Sequence, residues 1–463
     1  MSALSSLRGR GVGNGIGDGL VLVLSAGATL LAVLLVAIAS LGGMFALVAI
    51  LMAGSLMVLA ALGNERTGFL ALMGAFFTAP WYKGFAPSPG SIVTGTDLLF
   101  VVGFGLLFPQ LIGKRVHLPI AYLIGVLTVL TAGLVSSVFS EQALASFMAL
   151  VFWMTVMIGL PLAIALWGPP GRWVDLLACS FVAGQMFSLA AGIAKGNRAL
   201  GRDAGLSTHP NYLAQAGLLS IALLLYLWHR HHGKSWFINA ALLGAAAVCS
   251  ASVILSGSRA GTLVVAVLIL MVPIVERSAV KGFALALLGA LLIVAFPLIA
   301  GSAGEGSSIA RLGGDKSAEF SNSARTLGLE GGLARFFAHP LRGDGIVDLY
   351  EIHNNFLEVA VSIGIFGLAG YLLVLFAFAR PLFGSGEFRR LSYAVWGYIG
   401  FGATVPSLYD RSIWAVVALS VVAMTEFERR KHVDTHEGPH AFGDDGPTPT
   451  EELVLVNNSG DPQ

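Results

Sequence analysis

Apolar runs dominate this chain, and they recur at the length of a bilayer crossing rather than with strand alternation or the narrow stripe of a soluble helix. Fourteen runs predict helices at 19–39, 43–62, 68–80, 98–113, 118–137, 143–167, 173–194, 211–228, 236–255, 260–275, 282–300, 354–379, 391–407 and 412–425. Hydrocarbon offers no water to backbone N–H and C=O groups, so an apolar run of about 20 residues crosses as a helix. The runs at 68–80, 98–113, 260–275 and 412–425 are short for a full crossing. The expected fold class is therefore all-α and polytopic, with about 12–14 transmembrane helices. Polar sequence interrupts the pattern in two long places. Residues 301–352 separate the helical region 19–300 from a C-terminal helical region 353–425, and carry an amphipathic stretch, LEGGLARFFAHPL. Residues 426–463 are polar and contain Pro and Gly, which predicts a disordered tail. No repeat of 20–50 residues is visible.

Basic residues in short loops set the expected orientation. With residues 1–18 (Arg8, Arg10) in the cytoplasm, strict alternation puts five further basic loops there. They hold Lys114-Arg115, Arg230/Lys234, Arg277/Lys281, Arg380/Arg389/Arg390 and Arg429-Arg430-Lys431. Both termini are then cytoplasmic, and 301–352 becomes a long external loop, expected to contain short helices.

Composition agrees with a membrane solvent. Of 463 residues, 56% are hydrophobic and 11% charged, with a mean hydropathy of +0.80. Soluble domains carry about 25% charged residues, which this chain could not supply to a water-facing surface. The net charge of +1 says nothing about nucleic acid, since the basic residues are scattered, and no nucleic-acid partner is expected. Cys179 and Cys249, in apolar stretches, suggest neither a disulfide framework nor a zinc site. The first apolar run leads into a second without a cleavage pattern, so it is expected to act as an anchor.

The external segments hold an anomaly. Arg198, Arg202, Arg259, Arg311, Arg325, Arg335, Arg342 and Arg411 all fall there, against the topology rule. A charge costs about 2.5–3.5 kcal/mol at a helix centre and less near the interface. Each arginine could snorkel to headgroup phosphates. Several could instead converge on an anionic ligand, because the guanidinium fork binds phosphate bidentately and keeps its charge. A second anomaly is EIHNNFLEVAVSIG, at 351–364. It starts an apolar helix with His353, Asn354 and Asn355 and places a carboxylate, Glu358, inside it. Asn is a strong N-cap, so the amides can be structural while His353 faces a cavity. Glu358, ionisable inside an apolar segment, is a candidate for pairing or substrate contact.

Three stretches in order resemble the signature stations of the O-antigen ligase/polymerase family: GRDAGLSTHPNYLAQ at 201–215, SGSRAG at 256–261, and HPLRGDGIVDLYEIHNNFLEVAVSIGIFGLAG from His339. The resemblance is best over about 190–375. It implies a GT-C-like fold and a glycosyltransferase on the outer face of the bacterial plasma membrane, working without metal or other cofactor. The enzyme would move a glycan from a polyprenyl-pyrophosphate carrier to an acceptor glycan or glycolipid. Arg202 and Arg259 would hold the pyrophosphate, and His353, beside Asn354, would stand near the acceptor. Arg342 matches the turn Arg342-Gly343-Asp344-Gly345, a substrate-binding candidate. Arg198, His209 and Glu358 complete the candidate set.

Chemically, an arginine clamp stabilises a departing pyrophosphate, and an imidazole titrating near pH ~6.5 can take the acceptor's proton. Polymerisation of an exported polysaccharide, with a possible chain-length regulator as partner, is expected ahead of ligation to a lipid A core. A secondary transporter or lipid flippase is the alternative from another class. It predicts mid-membrane charge and broken helices. Other features read more plainly. His229, His231 and His232 form a juxtamembrane anchor, Asp203 pairs with Arg202, and Trp81, Tyr82 and Tyr350 are interfacial aromatics.

Overall fold

The computed structural model describes residues 44–85, 93–199, 201–302, 306–313, 316–347 and 352–436. The segments 1–18 and 19–39, Tyr350 and the tail beyond 436 lie outside the described residues. The fold is helical throughout, apart from a hairpin of two short strands.

In chain order the helices are α1 (Met44–Thr78), α2 (Gly95–Leu111), α3 (Ile120–Phe139), α4 (Ala143–Trp167), α5 (Gly171–Ala194), α6 (Pro210–His231), α7 (Trp236–Leu255), α8 (Arg259–Val275) and α9 (Ala279–Ser302). There follow α10 (Ser308–Leu312), α11 (Lys316–Ala338), α12 (Asn355–Ala379), α13 (Tyr393–Gly402), α14 (Arg411–Leu419) and α15 (Val421–His436). Strands β1 (Arg198–Ala199) and β2 (Arg202–Asp203) pair antiparallel between α5 and α6.

Among the described residues, seven helices are long and apolar enough to cross a membrane: α3, α4, α5, α6, α7, α9 and α12, the last continuing to Phe383. Helices α2 and α8 are apolar but shorter. This is the architecture of a multi-pass membrane protein; of the 12–14 spans expected, the run at 19–39 lies outside the described residues. The runs at 43–62 and 68–80 join as α1, broken at Gly63, where the backbone leaves the helical region (φ 76°). The run at 391–407 makes only the ten-residue α13, and that at 412–425 divides at Ser420. Helix α15 then continues to His436, into the stretch expected to be disordered. The long loop also differs from expectation. It holds one short helix, α10, and one of 23 residues, α11, which packs on α12.

Helices α3 and α12 pack most extensively. Gly125 and Gly370 bring their backbones together: a Cβ on Gly125 would lie 2.7 Å from the Gly370 carbonyl oxygen. Such small-residue contacts are how helices associate where lipid removes the hydrophobic drive. Helix α12 is itself discontinuous. Ile363 and Gly364 leave helical geometry, with Gly364 at φ 72°, a left-handed conformation that glycine adopts without strain. The turn 340–346 fills the break. The Ile365 N–H donates to the Pro340 carbonyl at 2.8 Å, and the N–H groups of Asp344 and Gly345 donate to Val361 and Ser362 at 2.8 and 3.0 Å. The Ser136 hydroxyl on α3 donates to Ser362 at 2.5 Å. These bonds give protein partners to the Val361 and Ser362 carbonyls and the Ile365 N–H, as irregular backbone at membrane depth requires.

Helix direction sorts the charges into two poles. One pole holds the C-terminal end of α6, the end of α8 and the 380–392 connection. There Arg230 bonds Asp175 at 2.7 Å and also Glu387, Arg390 bonds Glu276 at 2.6 Å, and Arg430 bonds Glu426 at 2.7 Å. His231 lies 3.0 Å from Asp175, and His232 stacks on Trp228. The opposite pole holds the β-hairpin, the starts of α6, α8 and α12, and the segment 306–338.

Candidate functional site

The second pole carries the candidate site, and local sequence explains how each part is held. Ser258 caps α8, its hydroxyl accepting from the Gly261 N–H at 3.2 Å, so Arg259 occupies the first helical position. Gly257, one residue earlier, has φ 69°, and a Cβ there would lie 2.5 Å from Cδ of Arg202. Only glycine lets the SGSRAG turn lie against the hairpin arginine. Arg311, on α10, donates to the Gly257 carbonyl at 2.6 Å, and Thr262 bonds Ser308 at 2.7 Å, which docks α10 on α8. From α11, Asn322 accepts from Arg259 at 2.5 Å. The hairpin, the SGSRAG turn and the loop helices α10 and α11 thus meet around Arg202, Arg259, Arg311 and Arg325.

Arginines here face arginines. Arg202 is buried, and burial first, then Arg311 and Arg325, push its pKa down to about 10. Arg325 is lowered by burial, then by Arg259 and Arg311. No ion pair joins Arg202, Arg259 or Arg325 to a carboxylate among the described residues. Two like charges ~4 Å apart repel by about 4 kcal/mol at an effective dielectric of ~20. A fold that holds such a group together is suited to an anion with more than one negative charge.

Two histidines border the cluster. His209 caps α6, its Nδ1 accepting from the Asn211 N–H at 3.1 Å, with Pro210 at the first helical position. Burial, then Arg202, His353 and Lys83, push it down to about 4. His353 stands just before α12 at φ 52°, a left-handed conformation uncommon for a residue with a Cβ. Burial, then the Arg325 charge, lowers its pKa from the ordinary imidazole value, which favours the neutral ring.

Arg202, Arg259, His353 and His209, singled out in the sequence, are thus brought into one electrostatic neighbourhood. The other candidates are placed elsewhere. Arg198 has a side chain 58% exposed and pairs with Asp203 at 3.6 Å, so Asp203 serves Arg198 rather than Arg202. Asn354 is the N-cap of α12, accepting from Phe356 and Leu357 N–H at 3.0 and 3.1 Å and donating to the Ala403 carbonyl at 3.1 Å. Its neighbour Asn355 is fully buried, donating to Ser407 at 3.0 Å and accepting from the Ser407 N–H at 2.8 Å. Both amides are structural, and they anchor the backbone that presents His353. Arg342 lies over the Phe139 ring at 5.5 Å, on the turn that plugs α12. Glu358 is buried in a separate cavity wall.

Sequence reasoning flagged Arg311 and Arg325 as misplaced charges but assigned them no role, and it missed Lys83. Lys83 bonds the Tyr212 hydroxyl at 2.6 Å and lies 3.6 Å from Asp410, which also accepts from Tyr82. A lysine in the external stretch WYKGF was the available signal. Among the described residues, no group of three or more His, Cys, Asp or Glu is placed to hold a metal.

No protein-family model matches the chain, and no curated protein matches it either.

Proposed function

We propose that this chain is a metal-independent membrane glycosyltransferase. It transfers a glycan from a polyprenyl-pyrophosphate carrier to an acceptor on the outer face of the bacterial plasma membrane. Both termini are cytoplasmic, and the arginine pole faces outward. The observation that carries this reading is the gathering of Arg202, Arg259 and Arg325 beside His353, whose ring is biased toward the neutral form.

In the step, the acceptor oxygen bonds to the anomeric carbon while the bond from that carbon to the phosphate oxygen breaks. The electron pair leaves with the polyprenyl pyrophosphate, whose growing charge the arginines neutralise. The acceptor proton passes to the ring nitrogen of His353. Polymerisation of a cell-surface polysaccharide is placed ahead of ligation to a lipid A core on the number of apolar runs and the Ala/Gly/Val-rich composition, since the signature stretches do not separate the two.

The break in α12 is the feature a transporter would show. The Val361 and Ser362 carbonyls and the Ile365 N–H at the break are, however, taken by the 340–346 turn rather than offered to cargo, so the transferase is preferred.

Arg202→Ala, Arg259→Ala and His353→Ala should each lower transfer at least about 100-fold, the scale of a lost electrostatic or acid–base contribution. The assay is sizing of products made by purified protein from lipid-pyrophosphate oligosaccharide, with membrane expression checked alongside. Wild-type product from all three variants rejects the site, and lipid translocation without transfer supports the transporter.

A further inference from the structure

The first turns of α12 have two sides. The His353 side meets the arginines. The other carries Glu358, buried in the wall of a cavity of about 470 Å³ that Gln142, Phe152, Ser407 and Asp410 help to line. A second cavity, about 330 Å³, is lined by Phe139, Glu141, His339 and Arg342. Gln142 and Val347 line both, so the two form one groove running from Glu358 out to Arg342. Each volume lies in the range of about 300–1,000 Å³ that holds a small ligand.

The lining selects among ligands. A lipid tail gains nothing from a buried carboxylate, and beside Glu358 a phosphate meets two carboxylates, Glu358 and Asp410, against one guanidinium, Arg411. Hydroxyl groups suit both carboxylates and the Gln142 amide, which can donate and accept. Phe152, 45% exposed, offers an apolar ring to the C–H face of a pyranose. It lies on α4 just before a π-helical turn, Thr155–Gly159, a feature frequent at functional sites.

Position completes the case. Ser407 is bonded by Asn355, two residues from His353, and Asp410 lies 3.6 Å from Lys83, whose charge acts on His209. The inner end of the groove is therefore tied to the start of α12, two residues from His353, through the Asn355–Ser407 bond.

We infer that the groove from Glu358 to Arg342 is the acceptor subsite, taking the terminal sugars of a neutral, hydroxyl-rich glycan. Glu358 accepts a hydrogen bond from a hydroxyl next to the one that reacts and so acts as a positioning residue. This rests on the glycosyltransferase reading.

The test uses the full chain in lipid nanodiscs. The donor is lipid-pyrophosphate oligosaccharide extracted from the organism that carries the chain. The acceptor is the same oligosaccharide freed from its lipid by mild acid. Donor binding, acceptor KM and kcat are measured for Glu358→Gln and for Ala145→Trp, a bulky residue on the exposed rim of the larger cavity. Both variants should bind donor like wild type. Acceptor KM should rise about ten-fold in each, the size of one lost hydrogen bond to a charged group, with a smaller change in kcat. Wild-type acceptor KM in both variants overturns the subsite while leaving the transferase intact. If Glu358→Gln does not fold, Ala145→Trp decides. A wild-type protein that binds donor but makes no product removes the transferase reading, and the subsite with it.

Discussion

His353 combines a ring that partial burial and the Arg325 charge bias toward the neutral form with a backbone held at φ 52°. Burial and that charge depress its pKa below the ordinary 6.5, so the base-competent form persists into mildly acidic solution. Activity should therefore fall with decreasing pH only below 6.5, as the ring protonates. Arg325→Gln removes one positive charge and should move that limb to higher pH, toward the unperturbed value. The pH dependence of kcat/KM checks this; an unmoved limb means that another group titrates. Asn355→Ala belongs to the same scale with a different outcome. It strips the buried Ser407 N–H of its acceptor and should cost about 1–3 kcal/mol of stability, read as a lower melting temperature in detergent. At this scale the sequence was informative wherever a side chain contradicts its surroundings. Arg202, Arg259 and His353 stood out as charges in apolar or external stretches. The division of labour between Asn354 and Asn355 was not legible, because both amides satisfy the same capping rule and only the distant Ser407 and Ala403 separate them.

The helices themselves were almost fully readable, since apolar length is a one-dimensional property. Helices α4 and α7 have the bounds expected for 143–167 and 236–255. What escaped was discontinuity. The break at Ile363–Gly364 is invisible to periodicity, because VAVSIGIFGLAG stays apolar on both sides and the partner that makes the break tolerable is the turn 340–346. Gly364→Ala forces a Cβ into left-handed backbone, and that Cβ would meet the Leu341 backbone. The expected cost is about 1–2 kcal/mol of strain before any clash, with loss of folded protein on size exclusion as the measurement. Normal yield and activity would show that the break closes without consequence.

Across the whole molecule, charge is divided by sign pairing. One pole marries its arginines to Asp175, Glu276, Glu387 and Glu426, while at the other Arg202, Arg259 and Arg325 form no ion pair with a carboxylate among the described residues. The positive-inside count gives an expected side for each loop, which the labelling below tests. The count could not say that the external arginines would converge, because convergence depends on how α10 and α11 fold back over the hairpin. If the arginine pole faces outward, Leu327→Cys on α11, 69% exposed, should react with a membrane-impermeant maleimide in intact cells. Protection there, with labelling only after lysis, would invert the topology.

The plug in α12 has a consequence for modularity. Because residues 340–346 supply the partners of Val361, Ser362 and Ile365, the loop is not a free cassette hung between two spans. A hybrid that exchanges 306–338 for a foreign sequence keeps its own stopper. One that also exchanges 339–347 leaves a hole in the middle of a span, and loops of this kind can diversify only up to that boundary.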